Sequence, residues 1–262
     1  MTDTLHVPIL ADMLAEGKKP DVLFWVGCAG SFDDRAKKVS KAFVKLLNEA
    51  DISFAVLGSE EGCTGDPARR SGNEFLFQMQ AMQNIEVLNG YDVQRIVTTC
   101  PHCFNTLKNE YPELGGKYEV FHHSQFLREL LKAGKLTIQG GAFKGKRIVF
   151  HDPCYLGRIN QTYEAPRELI KALDAELHEM GRSKKNGLGC GAGGAQMFKE
   201  PEKGDKDINI ERVEEAMATK PDIIATGCPF CKTMISDGLS HIGKDVPVLD
   251  IAEAIVQAGD LS

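Results

Sequence analysis

The sequence has no apolar run of about 18 residues, the length a membrane-spanning helix needs. Its first stretch, MTDTLHVPILADMLAEGKKPD, has neither a basic n-region nor a long apolar h-region, so no secretory signal is expected. No block of five or six like charges occurs, and the formal net charge is −6. Without a concentrated Lys/Arg surface, nucleic acid is excluded as the default partner. No Walker pattern is present, which argues against a P-loop cradling phosphate. No Ser/His/Asp set suggests nucleophilic catalysis. These absences predict a cytoplasmic protein with reduced thiols and no direct membrane span.

Against this background the eight cysteines stand out. Paired disulfides suit small secreted domains with thin cores, and a chain of 262 residues is long enough to bury a real core. Their spacing is more informative. Cys28, Cys63, Cys100 and Cys103 recur as Cys154, Cys190, Cys228 and Cys231, at offsets of 126, 127, 128 and 128 residues. The neighbours recur too. Thr99-Cys100-Pro101-His102-Cys103 matches Gly227-Cys228-Pro229-Phe230-Cys231, and Gly62-Cys63-Thr64-Gly65 matches Gly189-Cys190-Gly191-Ala192. This is an internal duplication.

The secondary-structure pattern repeats in step. Strands are predicted at Asp21–Gly27, Ile52–Leu57 and Arg95–Thr99, then at Arg147–His151, Ala175–Met180 and Asp222–Thr226. Helices are predicted over Asp34–Glu49, Gly72–Leu88, Ala165–Leu173 and Ile208–Thr219. Segments before Val120 and at Val246–Leu249 offer a fourth strand to each half. Alternating strands and helices define an α/β fold of two tandem Rossmann-like repeats, each a parallel sheet flanked by helices. The expected division is an N-terminal extension over 1–20, a first cysteine-rich repeat over 21–140 and a second over 141–262.

Ligands of open parallel sheets gather beyond the carboxyl ends of the strands. Three successive strands in each half would deliver cysteine there, so thiols far apart in sequence become neighbours. Pro101 and Pro229 would open helices whose N-termini favour thiolate charge. Four thiolates per half suit tetrahedral zinc or an iron–sulfur cluster. Structural zinc sites commonly use two short knuckles, whereas each half has one CxxC and two distant single cysteines. That spread, with glycine-rich loops around Cys63 and Cys190, favours the larger cofactor. A zinc-stabilised interaction scaffold and a thiol redox role are the alternatives.

Around these cysteines the sequence resembles the cysteine-rich (CCG) domain family. This family includes the B and D components of heterodisulfide reductase, the iron–sulfur subunit of glycolate oxidase and lactate utilization protein A. The resemblance runs from about Asp21 to Ile255. It rests on Gly62-Cys63-Thr64-Gly65-Asp66-Pro67-Ala68-Arg69-Arg70, Cys100-Pro101-His102-Cys103, His151-Asp152-Pro153-Cys154 and Cys190-Gly191-Ala192-Gly193-Gly194. It implies an iron–sulfur electron-transfer subunit of an oxidoreductase complex, with all eight cysteines as cluster ligands. A ferredoxin-domain or flavoprotein redox subunit, which can be membrane-bound, would be its partner, and a quinone or a disulfide the acceptor. Such a partner would hold the chain at the inner face of the membrane. The middle element departs from the family pattern, because Gly62 and Gly189 stand where relatives often carry a second cysteine. Members with the doubled cysteine can hold a non-cubane pair of fused units and cleave a disulfide with it. Four thiolates match an ordinary [4Fe-4S] cubane instead, one or two per chain. A catalytic disulfide reductase subunit is therefore the alternative within the family.

Other residues carry weaker expectations. His102 reads as an exposed helix-start residue, and His122-His123 as surface or capping residues. His151-Asp152, beside Cys154, suits hydrogen bonding to the site. Asp66, Arg69 and Arg70 read either as solvated helix-start charges or as groups balancing a cluster or meeting a partner. Phe24 and Trp25 read as core, and Gly191, Gly193 and Gly194 as shaping a cluster loop.

Overall fold

The computed structural model describes residues 5–138, 141–200 and 203–259. It divides into two compact units, Met1–Leu136 and Thr137–Ser262. The boundary expected between residues 140 and 141 touches residue 140, which lies outside the described residues, whereas the two units divide between Leu136 and Thr137.

The first unit contains α1 (Leu10–Ala15), β1 (Val22–Trp25), α2 (Gly27–Phe32), α3 (Asp34–Glu49) and β2 (Phe54–Ala55). It continues through α4 (Asp66–Arg70), α5 (Glu74–Gly90), β3 (Arg95–Thr98), α6 (Pro101–Asn105), β4 (Glu119–His122) and α7 (His123–Lys132). The second unit runs β5 (Arg147–Phe150), α8 (Glu164–Ala172), β6 (Glu176–His178), α9 (Ile208–Ala218), β7 (Ile223–Thr226), α10 (Pro229–His241), β8 (Val248–Asp250) and α11 (Ile251–Ala258).

Each unit is built on a four-stranded, all-parallel sheet, ordered β2-β1-β3-β4 in one and β6-β5-β7-β8 in the other. The fold is thus α/β with two tandem Rossmann-like repeats. β1 and β7 are buried at every position, as strands covered on both faces should be. Their apolar runs, VLFW and IIAT, have no polar alternation for that reason.

Local chemistry sets the helix limits. The Asp33 side chain accepts from Ala36 N at 2.8 Å and caps α3, whose Val39, Phe43, Leu46 and Leu47 form the buried stripe. The helix expected from Gly72 begins at Glu74, because Asn73 caps it by accepting from Leu76 N at 3.1 Å. Gly72, at φ +88°, occupies a left-handed turn between α4 and α5 that suits glycine. β2 is shorter than the Ile52–Leu57 run. Its outer edge is taken by the chain before α1: Val56 N donates to Pro8 O and Leu10 N donates to Val56 O, each at 2.9 Å. Residues 1–4 of the expected N-terminal extension lie outside the described residues.

The chain runs from β1 to β2 on one side and then crosses back past β1 to β3 on the other. This leaves a crevice between the carboxyl ends of β1 and β3, the usual binding position in such sheets. Cys28 follows β1 and Cys100 follows β3. Cys154 and Cys228 occupy the same places after β5 and β7.

Candidate metal centres

All eight cysteines are free thiols, five of them buried and Cys28, Cys63 and Cys154 partly so. In the first repeat four gather near the strand ends as two close pairs, Cys28 with Cys63 and Cys100 with Cys103. Cys28 begins α2, Cys63 lies in the loop after β2, Cys100 caps α6 and Cys103 sits in its first turn behind Pro101. The Cys28 thiol donates to Cys63 and the Cys103 thiol to Cys100, and Cys103 feels the charge of all three others. Donation from Cys28, aided by Gly65 N–H, pulls Cys63 down to about 7 against the effect of burial. Donating, then burial, pushes Cys28 and Cys103 up.

The backbone is shaped for this approach. Gly27 has φ +76°, and a Cβ on it would stand 3.1 Å from Cys103 Sγ. Gly65 N donates to Cys63 Sγ at 3.5 Å, and Thr64 Oγ1 donates to Cys103 Sγ at 3.8 Å. Glu61 ties the loop to the Cys28 turn, its carboxylate accepting from Val26 N at 3.0 Å and Gly27 N at 2.6 Å. Burial pushes Glu61 up to about 7, and those two N–H bonds oppose the shift.

Asn84, on α5, holds the loop from behind. It accepts from Gly62 N at 3.2 Å and donates to Cys63 O at 2.9 Å and to Tyr111 Oη at 3.0 Å. Tyr111 in turn donates to Thr64 O at 3.2 Å. A Cβ on Gly62 would sit 3.0 Å from Asn84 Oδ1, so glycine is built into this position.

Beside the first centre lies a charged network. Asp66 is 3% exposed, bonded to His102 Nδ1 at 2.7 Å and to Arg70 Nε at 3.0 Å. Burial opposes its charge, but His102 and Arg70 outweigh it and hold Asp66 below the usual carboxylate range. Arg69 and Arg70 both reach Glu110. His102 is buried, contrary to the exposed position expected for it, because Asp66 draws its ring inward. Asp66 is likewise not a solvated helix-start charge. His122 caps α7, accepting from Ser124 N, and both it and His123 are fully buried rather than on the surface.

In the second repeat Cys190, Cys228 and Cys231 meet, with Cys231 hydrogen-bonded to both others. Donation from Cys231 pulls Cys190 down despite burial, and His151 beside it adds to the effect. A ring nitrogen of His151 and the Cys190 and Cys231 Sγ atoms lie within 4.8 Å of one another. Cys154 stands at the end of β5, at the start of the turn Tyr155–Ile159. Asp152 does not face these thiols. It is paired bidentately with Arg167 at 2.8 and 2.9 Å and accepts from Lys184 N at 2.8 Å, which fixes the loops after β5 and β6. Arg212, on α9, is buried and donates from Nε to His151 Nδ1 at 2.9 Å. It stands 128 residues after Asn84, in the register of Cys100 and Cys228. Gly189 differs from Gly62: the nearest atom to a Cβ there is Gly191 N, at 3.9 Å.

Sequence reasoning did not single out Glu61, Asn84, Tyr111, Arg167 or Arg212. The repeat register is the one signal that reaches any of them, since it aligns Asn84 with Arg212.

Fold and site together define a duplicated α/β protein with a buried thiol centre at the strand ends of each repeat. The chain belongs to the cysteine-rich domain (CCG) family, whose pattern matches residues 22–108 and again 148–236. It is 46% identical over 256 residues to the probable iron-sulfur-binding oxidoreductase FadF of Bacillus subtilis, covering 97% of this chain and 36% of that protein. It is 43% identical over 265 residues to the EtfAB:quinone oxidoreductase of Syntrophomonas wolfei, covering 98% of this chain and 37% of that protein. With the D component of the dihydromethanophenazine:CoB–CoM heterodisulfide reductase of Methanosarcina barkeri it shares 34% identity over 251 residues, covering 93% of this chain and 60% of that component. The chain therefore spans little more than a third of the first two relatives. Among the described residues no helix is long and apolar enough to cross a membrane.

Proposed function

We propose that this chain binds iron–sulfur clusters and works as the electron-transfer portion of an oxidoreductase complex. The observation that carries the reading is the convergence of Cys28, Cys63, Cys100 and Cys103 in one buried centre, with the same cysteine register in the second repeat. The donor chemistry fits the group: an all-thiolate set, Gly27 leaving room for close approach, and Gly65 N–H already directed at a sulfur. Cys28, Cys63, Cys100 and Cys103 would hold one cluster, and Cys154, Cys190, Cys228 and Cys231 a second. When bound, such a cluster takes up and passes on single electrons.

With one cysteine in each middle loop, an ordinary [4Fe-4S] cubane suits each set. Buried thiols and the N-termini of α6 and α10 would hold its negative charge away from water. Electrons would enter from a ferredoxin-domain or flavoprotein partner and leave toward a quinone or a disulfide. The relatives named for quinone and heterodisulfide chemistry support that range of acceptors. A membrane-bound partner would place the chain at the cytoplasmic face of the membrane.

Iron and acid-labile sulfide in anaerobically purified protein test the proposal. A brown protein with about four irons per loaded site and an EPR signal on reduction or oxidation is expected. A colourless protein with stoichiometric zinc and no iron would overturn it in favour of a zinc-stabilised scaffold.

A further inference from the structure

Each repeat buries one ring N–H at the same register position. Trp25 stands three residues before Cys28, and His151 three residues before Cys154. Their separation, 126 residues, is that of the two cysteines. Both side chains are fully buried; Trp25 Nε1 has no hydrogen-bond partner, and the His151 Nε2, unpaired by geometry, belongs to a ring that already acts on the Cys190 thiol. Buried polar groups are almost always paired, because an unpaired donor loses its water for nothing. Two such donors at one position of a duplicated fold point to something that each centre holds.

The geometry brings both rings near the thiols. Trp25 Cδ1, the ring carbon bonded to Nε1, is 4.0 Å from the point a Gly27 Cβ would occupy. Cys103 Sγ is 3.1 Å from that same point. In the second repeat the His151 ring lies among Cys190 and Cys231.

Arg212 decides how His151 can act. A guanidinium has only donors, so the bond from Arg212 Nε requires a lone pair on His151 Nδ1. In the neutral ring the proton is then on Nε2. A ring in that tautomer has no lone pair on Nε2 to give a metal, but it has an N–H to give a sulfur. Arg212 is held for the task, donating from Nη1 to Arg182 O and Glu215 Oε2, each at 2.9 Å.

We infer that Trp25 Nε1–H and His151 Nε2–H are the hydrogen-bond donors that each repeat supplies to the sulfur of its cluster, with Arg212 positioning His151 as a donor rather than a ligand. The inference rests on the cluster reading above. Such donors stabilise the more negative, reduced cluster and so raise its reduction potential.

Redox-poised EPR on the anaerobically purified full chain tests this, with iron and sulfide measured on the same samples. Trp25→Phe should shift the first cluster to a more negative midpoint potential and leave the second unmoved. His151→Phe should do the reverse. Because His151→Phe leaves Arg212 without its acceptor and can impair folding, the unsubstituted chain provides a second measurement. Trp25 is the only tryptophan, so labelling with [15N-indole]tryptophan reports on it alone. Pulsed EPR should then show a weak 15N coupling and an exchangeable proton, and 15N-histidine should show the same at the second cluster. Loaded variants with unmoved potentials, or no 15N coupling at either cluster, would overturn the donors while leaving the clusters in place. A large histidine coupling, as from direct ligation, would overturn the role given to His151 and Arg212. A chain that binds no iron would overturn both readings.

Discussion

The two repeats share strand order and cysteine register but support their middle loops differently. In the first, Asn84 fills the space behind Gly62 and, with Tyr111, bonds the loop at three backbone positions: Gly62 N, Cys63 O and Thr64 O. In the second, the equivalent Arg212 turns to His151, and the space around Gly189 is open. Rigidity there comes from the Arg167–Asp152 pair instead, which joins β5 to the loop after β6. One scaffold thus supports its cysteine loops with an amide, a phenol and the Glu61 carboxylate in one half and with buried ion pairs in the other. The difference teaches that strand topology fixes where the thiols go, while the side chains behind them are free to diverge.

The sharpest way to break the comparison is to remove one thiol from each centre. Cys103→Ser and Cys231→Ser should each abolish only their own repeat's cluster, halving iron per chain when both sites are filled. Iron analysis reads this directly. Unchanged iron in one variant would show that its repeat holds no cluster, and the two halves would differ in occupancy as well as in support.

Breaking the buried charge comes next. Arg167→Met strands Asp152, whose side chain is 4% exposed, and should cost the metal-free chain about 3–5 kcal/mol in urea unfolding.

The glycines sharpen the contrast further. Gly62→Cys forces Asn84 aside and should cost about 1–3 kcal/mol by leaving its buried partners unpaired. Gly189→Cys should stay within about 0.5 kcal/mol, like other substitutions that meet nothing. Equal costs would refute the idea that Asn84 makes the first loop the less permissive one.

The smallest effect is acid sensitivity. Asp66 has its folded pKa below its ordinary value of 3.8, so its contribution is present above 3.8 and lost as pH falls through the lower folded value. Gly193, not an acid, holds the matching place in the second repeat. Asp66→Asn should therefore lower stability near neutrality, where the contribution is fully present, and flatten the acid limb, as followed by urea titration of the metal-free chain.

Much of the fold was legible in the sequence because it is written in local periodicity. The α3 stripe, the apolar runs of β1, β3, β5 and β7, and proline after Cys100 and Cys228 all sit where the pattern predicts. The convergence of the first four cysteines followed from placing them at strand ends. What was not legible depends on distant partners. His102 reads as an exposed residue until Asp66, 36 positions away, is seen to hold it. Asn84 is one polar residue in a helix that also carries exposed Phe75, Met79 and Met82, so helical spacing gave no reason to choose it. Arg212 looks like a surface charge in INIERVEEAMA, and only the packed fold shows it buried against His151.

The unequal space behind Gly62 and Gly189 also bears on how such a chain can change. Some glycine codons lie a single base from a cysteine codon. At Gly189 that one mutation would add a ninth thiol beside the second centre with nothing displaced. At Gly62 the same mutation would be penalised until Asn84 had also changed. The second repeat is therefore the more evolvable half, open to new sulfur chemistry by one step, while the first is held to its present ligand set by an amide on a neighbouring helix.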